Sequence, residues 1–115
     1  MKLSEAIIQA DRLRPNAIDD VQKAIWCYEA EAAVAEMMGT EAPENAYPGD
    51  AELLMPSPHE GVYPLYIAAK IDYYHEETAL YQNDSAMFEE AFARARAWWI
   101  RTHRPAKSRN WKVMR

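Results

Sequence analysis

The sequence predicts an all-α domain, and three observations carry that expectation. Apolar residues recur at helical spacing in four segments. No segment alternates with the period of two that a half-buried strand needs, and the prolines and glycines fall chiefly between the helical segments. The first helix is expected over about 3–13, with Ser4 as its N-cap, Ile7 and Ile8 on one side, and Pro15 as its stop because a proline disfavours helix in the residue before it. The second is expected over about 17–38. Asn16 would cap it, Asp19 and Asp20 would sit favourably in the first-turn dipole, and Gly39 would end it. A helical wheel places Ile18, Val21, Ile25, Tyr28, Ala32 and Ala35 on its packing face, beside a narrow polar stripe of Gln22, Glu29 and Glu36.

A long proline-rich connection follows over 40–58, interrupted by four prolines and Gly49. Connections of more than about 12–15 residues in a compact domain are usually functional or disordered. Within this one, "ELLMP" at Glu52–Pro56 is apolar enough to dock on something, most simply on the helices themselves. The third helix is expected over about 60–82, with Tyr63, Ile67, Ile71, Tyr74 and Tyr81 on one stripe and Val62, Tyr66, Ala69, Tyr73 and Leu80 on the next. A break at "QNDS", with Asn83 or Asp84 as cap, would start a fourth helix over about 84–103. Met87, Phe88, Ala91, Phe92, Ala95, Trp98 and Trp99 share one arc of that helix and would pack on the third. Residues 1–105 then form one domain, and 106–115 form a basic tail that could be disordered.

With 115 residues the chain is long enough for one modest core. Half of it is apolar and 27% is charged, the balance of a folded globular protein. Cys27 is the only cysteine, so an intrachain disulfide is excluded and a small buried hydrophobe is the simple reading of it. No apolar run reaches the length of a membrane span, and the start turns acidic too early for a secretory signal, so a soluble, unexported protein is expected. The net charge of -5 hides a division: residues 1–93 hold all 18 acids and only five of the 13 Lys and Arg, giving -13, while residues 94–115 carry +8. Such a split suits nucleic acid, an acidic membrane or an acidic patch on a neighbouring subunit.

The stretch "IDYYHEE" at Ile71–Glu77 has the residue types of a metal or acid/base site. Helical spacing instead puts Asp72, His75 and Glu76 on the arc opposite the packing face, where solvent is the expected neighbour. "HEETA" lacks the second histidine four residues on that a zincin helix requires, and His59 lies roughly 24 Å from His75 along a continuous helix. Three glycines form no phosphate-binding loop, and no nucleophile elbow or EF-hand spacing occurs. No enzyme activity, metal or cofactor is expected; a metal-dependent enzyme on His59, His75 and the acids ranks last.

The blocks "ADRLRPNAIDDVQKAIWCYEAEAAVAEM" and "AELLMPSPHEGVYPLYIAAKIDYYHEETALYQNDSAMFEEAFARARAWWIRTHRP" resemble, in order and spacing, small structural proteins of tailed bacteriophages and prophages of the head–tail connector (adaptor, head-completion) type. "ADRLRPN", "ELLMP", "YIAAKIDYY", "NDSAMF" and "WWIRTHRP" are the most specific pieces. The resemblance implies a non-catalytic all-α virion component, assembled in the bacterial host cytoplasm, that forms a ring beneath the portal and receives the tail. Its partners would be portal, tail or head-completion proteins and further copies of itself, with no membrane. Leu53, Leu54, Met55, Tyr66 and Tyr73 are the expected subunit contacts, and Arg101, Arg104, Arg109 and Trp111 would reach the portal, the tail or DNA. The alternative is a nucleic-acid-binding module that uses the basic C-terminal segment.

Overall fold

The structure, a computed structural model, describes residues 1–103; Arg104, Arg109, Trp111 and the rest of the basic tail lie outside the described residues. It is all-α: α1 spans Leu3–Leu13, α2 Asp20–Met38, α3 Val62–Tyr74 and α4 Thr78–Thr102. Among the described residues there is no strand, only an isolated antiparallel bridge between Lys2 and Glu52. α3 is the central helix and packs against the other three, whereas α4 rests chiefly on α3.

The ends of α2 and α3 follow one rule. After α2, Gly39 adopts a left-handed φ of 75°, its N–H bonds to the Glu36 carbonyl, and the Thr40 N–H bonds to that of Ala35. This is a Schellman ending, which satisfies carbonyls that the helix leaves free. α3 ends in the same way, but Glu76 holds the left-handed position at φ 57°, its N–H bonding to Tyr73 O and the Glu77 N–H to Asp72 O. The turn therefore falls at His75–Glu77, several residues before "QNDS". Asn83 and Asp84 are interior residues of α4, not caps. A glutamate at a position usually held by glycine or asparagine is what hid this turn in the sequence.

Two other boundaries move. Ser4 lies inside α1, and the Lys2 N–H bonds instead to Glu5 Oε1 at 2.8 Å. α2 begins at Asp20 because Asn16 is occupied elsewhere: its Oδ1 accepts the Ile18 N–H at 2.9 Å and the Lys23 ammonium at 3.2 Å. Lys23 is buried and also meets Asp11 at 2.9 Å, so the α1–α2 link is tied by charge. The expected packing face of α2 is met in part: Ala35 is buried and Ile18 and Tyr28 pack on the core, but the helix is turned enough to leave Val21, Ile25 and Ala32 out. Ala24, Cys27, Ala30, Glu31 and Val34 face the core, while Val21 and Ile25 are exposed.

The long connection is held at several points. Ser4 N–H and Oγ both donate to Asp50, at 2.9 and 2.6 Å, and the Leu53 N–H bonds to Met1 O. Gly49 is required where it stands, since a Cβ there would lie 2.8 Å from Ala46 O. "ELLMP" lies on the helices, with Leu53 and Met55 buried in the common core and Leu54 half-buried.

Candidate functional site

The corner where α3 turns into α4 concentrates the unusual features of the molecule. On its inner side Arg14, at the end of α1, reaches two aspartates. Its Nε donates to Asp72 Oδ1 at 3.1 Å, and its Nη2 lies 3.1 Å from Asp84 Oδ1 and 2.9 Å from Asp84 Oδ2. Asp72 is 2% exposed and Asp84 is also buried. Asp72 Oδ2 has no hydrogen-bond donor among the described residues, and Asp84 Oδ2 faces the Arg14 guanidinium without an aligned hydrogen bond. Burial, with the neighbouring Asp84 carboxyl as the next cause, pushes Asp72 up to about 7 against the pull of Arg14. The group joins the end of α1 to α3 and α4 by polar contacts.

On the outer side Tyr73 and Tyr74 are 66% and 60% exposed, and His75, Glu76 and Glu77 are exposed as well. Within "IDYYHEE" the sequence reading holds for buried Ile71 and for exposed His75 and Glu76, and is inverted for the other three: Asp72 is buried and the two tyrosines are wet. The helix ends at Tyr74, so its last two residues, Tyr73 and Tyr74, are left exposed, while Asp72 faces Arg14. Tyr73 and Tyr81 pack ring against ring at 5.4 Å and wall an open cleft of about 620 Å³ with Glu76, Glu77, Thr78 and Gln82.

A second polar group seats the connection. Buried Glu31 accepts the Tyr63 hydroxyl on Oε1 and the Leu54 N–H on Oε2 at 2.9 Å, and the Tyr63 oxygen accepts the Met55 N–H at 2.9 Å. Burial raises the Glu31 carboxyl, while the Tyr63 and Leu54 hydrogen bonds oppose the shift. Every polar atom of this chain is thereby used for holding "ELLMP" in place.

The residues expected to make contacts divide accordingly. Leu53 and Met55 are spent on the chain's own core, and Leu54 is partly covered. Tyr66 is half-buried, donates its hydroxyl to Glu29 at 2.8 Å and packs edge-on against Phe88. Tyr73 and Arg101 are exposed, the former at the corner and the latter near the far end of α4. Sequence reasoning missed Arg14, Asp84, Glu31 and Tyr63; a charged residue inside an otherwise apolar helical face was the available signal for Glu31 alone.

Chemically, the described residues offer anchoring contacts. Cys27 is fully buried and its thiol is pushed up to about 12, so it is no nucleophile at neutral pH. His59 packs against Trp98 at 5.1 Å, away from the exposed His75, and no cluster of three potential metal ligands exists among the described residues. No described helix is long and apolar enough to cross a membrane. No family model, curated protein or solved structure matches the chain.

Proposed function

We propose that the chain is a non-catalytic structural protein of the tailed-phage head–tail connector type, which joins portal to tail by assembling as a ring. One observation carries the structural side of this reading: α4 spans 25 residues yet buries only Asp84 and Ala95. Leu80, Met87 and Ile100 are exposed on it, as are Tyr73 and Tyr74 at the corner and Val21 and Ile25 on α2. Single exposed apolar residues are ordinary, but successive turns of two different helices left uncovered suit a protein that is completed by partners. A ring subunit needs two unlike surfaces, and α2 and the α3–α4 corner supply two. The virion would be its final location, reached by assembly in the host cytoplasm. The order of sequence blocks that resembles connector proteins supplies the identity of those partners.

The test is size-exclusion chromatography with light scattering, on the protein alone and with portal and tail proteins. A complex with portal or tail is expected; failure to bind any head or tail protein removes the reading. The nucleic-acid alternative has its own observation, since Arg94, Arg96 and Arg101 are exposed and no acid follows Glu90. It requires DNA binding that weakens steeply with salt and is lost on deleting residues 106–115.

A further inference from the structure

We propose that the tyrosine-walled cleft at the α3–α4 corner receives arginine side chains from the α4 end of a second copy of this chain. The inference rests on the ring-assembly reading above and names the contact that would build the ring. The cleft combines two aromatic faces, Tyr73 and Tyr81, with the exposed carboxylates of Glu76 and Glu77, and no basic residue lines it. A planar guanidinium suits that combination, because it can lie on a ring while donating in-plane to a carboxylate. One ring of the pair, Tyr73, already has a cation at its edge of reach. Lys70 Nζ lies 6.0 Å from the Tyr73 centroid, but it is 5.5 Å from that of Tyr66 and 3.7 Å from Glu29, and so is engaged elsewhere.

The occupant follows from the charge division. All the acids lie at or before Glu90, and the chain from Arg94 onward is purely basic. Arg94 and Arg101, seven residues apart, are both exposed and share one face of α4. Arg94 also meets Glu90 at 2.7 Å, an exposed pair of the kind that contributes little and is readily exchanged. Neither arginine can serve its own cleft. Along a rigid helix Arg94 stands about 24 Å and Arg101 about 35 Å from Thr78 at the cleft's edge. The docking is therefore intermolecular, and because it joins two different surfaces it is heterologous, the kind that closes into a ring by rotation.

Charge exchange tests this. The full chain is followed by sedimentation equilibrium at low salt in four forms: wild type, Glu76→Lys/Glu77→Lys, Arg94→Glu/Arg101→Glu, and an equimolar mixture of the two variants. Wild type is expected to grow past a dimer with concentration and to fall back in high salt. Each variant alone should associate at least ~10-fold more weakly, and the mixture should recover assembly, because every reversed surface then meets its complement. Circular dichroism checks folding; where a reversal fails to fold, Glu77→Gln and Arg101→Gln replace the pair, each expected to weaken association. Variants that associate like wild type, a mixture that recovers nothing, or a wild type that stays monomeric or stops at a dimer would overturn the inference. Portal binding, measured separately, distinguishes that outcome from failure of the connector reading itself.

Discussion

Two carboxylates buried against one guanidinium leave a surplus negative charge in the Arg14–Asp72–Asp84 group, and the surplus has no solvent to spread into. A proton shared between the Asp72 and Asp84 carboxyls would remove it and supply a donor to the pair. Asp72 therefore keeps its proton to higher pH in the folded chain than in the unfolded one, where it titrates near 3.8. The folded state binds the extra proton, so stability from this pair is greatest below that value. It falls as pH rises toward about 7 and is flat above it. The loss is on the order of 2–4 kcal/mol. Asp84→Asn keeps an acceptor for Arg14 and offers an amide donor to Asp72 while deleting the like charge. Urea unfolding should show the variant more stable than wild type at pH 8 and nearly equal at pH 5; a pH-independent difference would show that the pair shares no proton. Tyr63→Phe acts in the opposite direction, since it strips the buried Glu31 of its O–H donor and the Met55 N–H of its acceptor. A destabilisation of about 1–3 kcal/mol is expected by the same measurement. The Arg14–Asp72–Asp84 group was not legible in the sequence, because its members meet only after three helices have packed, whereas Glu31 showed as a charge inside an otherwise apolar helical face.

The helical elements themselves were largely legible, because their stop and packing signals are local. Pro15 and Gly39 end α1 and α2 as their backbone preferences require, and of the expected arc Phe88, Ala91, Phe92, Ala95 and Trp98 pack on the core while Met87 is exposed. The turn between α3 and α4 was not, since Glu76 carries a conformation that glycine ordinarily signals. Local strain of that kind costs of order 1 kcal/mol. Glu76→Gly should relieve it and, after the added freedom of the unfolded chain is subtracted, raise stability by about 0.5 kcal/mol in urea unfolding. No change, or a loss, would mean that the Glu76 side chain stabilises the corner. The face of α2 was misjudged for a different reason: nearly every side of that helix is apolar or small, so the wheel has no strong preference. Orientation is set instead by Lys23 and Glu31, which the apolar pattern treats as noise.

At the scale of the whole molecule, cohesion is uneven. α1, α2, α3 and the seated connection share one core, while α4 leaves it: Ala95 is its last buried residue, and Arg96 to Thr102 bury none of their side chains completely. A helix end that only Trp98 ties to the core opens at little cost, because packing supplies most helical stability. Hydrogen exchange on the free protein should therefore give slow amides around Ile67 and Ile71 and fast ones from Arg96 to Thr102. Under conditions in which the protein assembles, the same α4 amides should slow by at least ~10-fold, with those of Tyr73–Glu77 slowing alongside them, since the proposed contact covers both ends of α4 at once. Protection of the α4 end already equal to that of α3 in the free chain would contradict this picture, because it would mean that α4 needs no partner to complete it. Protection gained on α4 while the corner stays unchanged would place the covering surface elsewhere, on the α2 face of Val21 and Ile25, and would separate the assembly of the protein from the arginine-binding cleft.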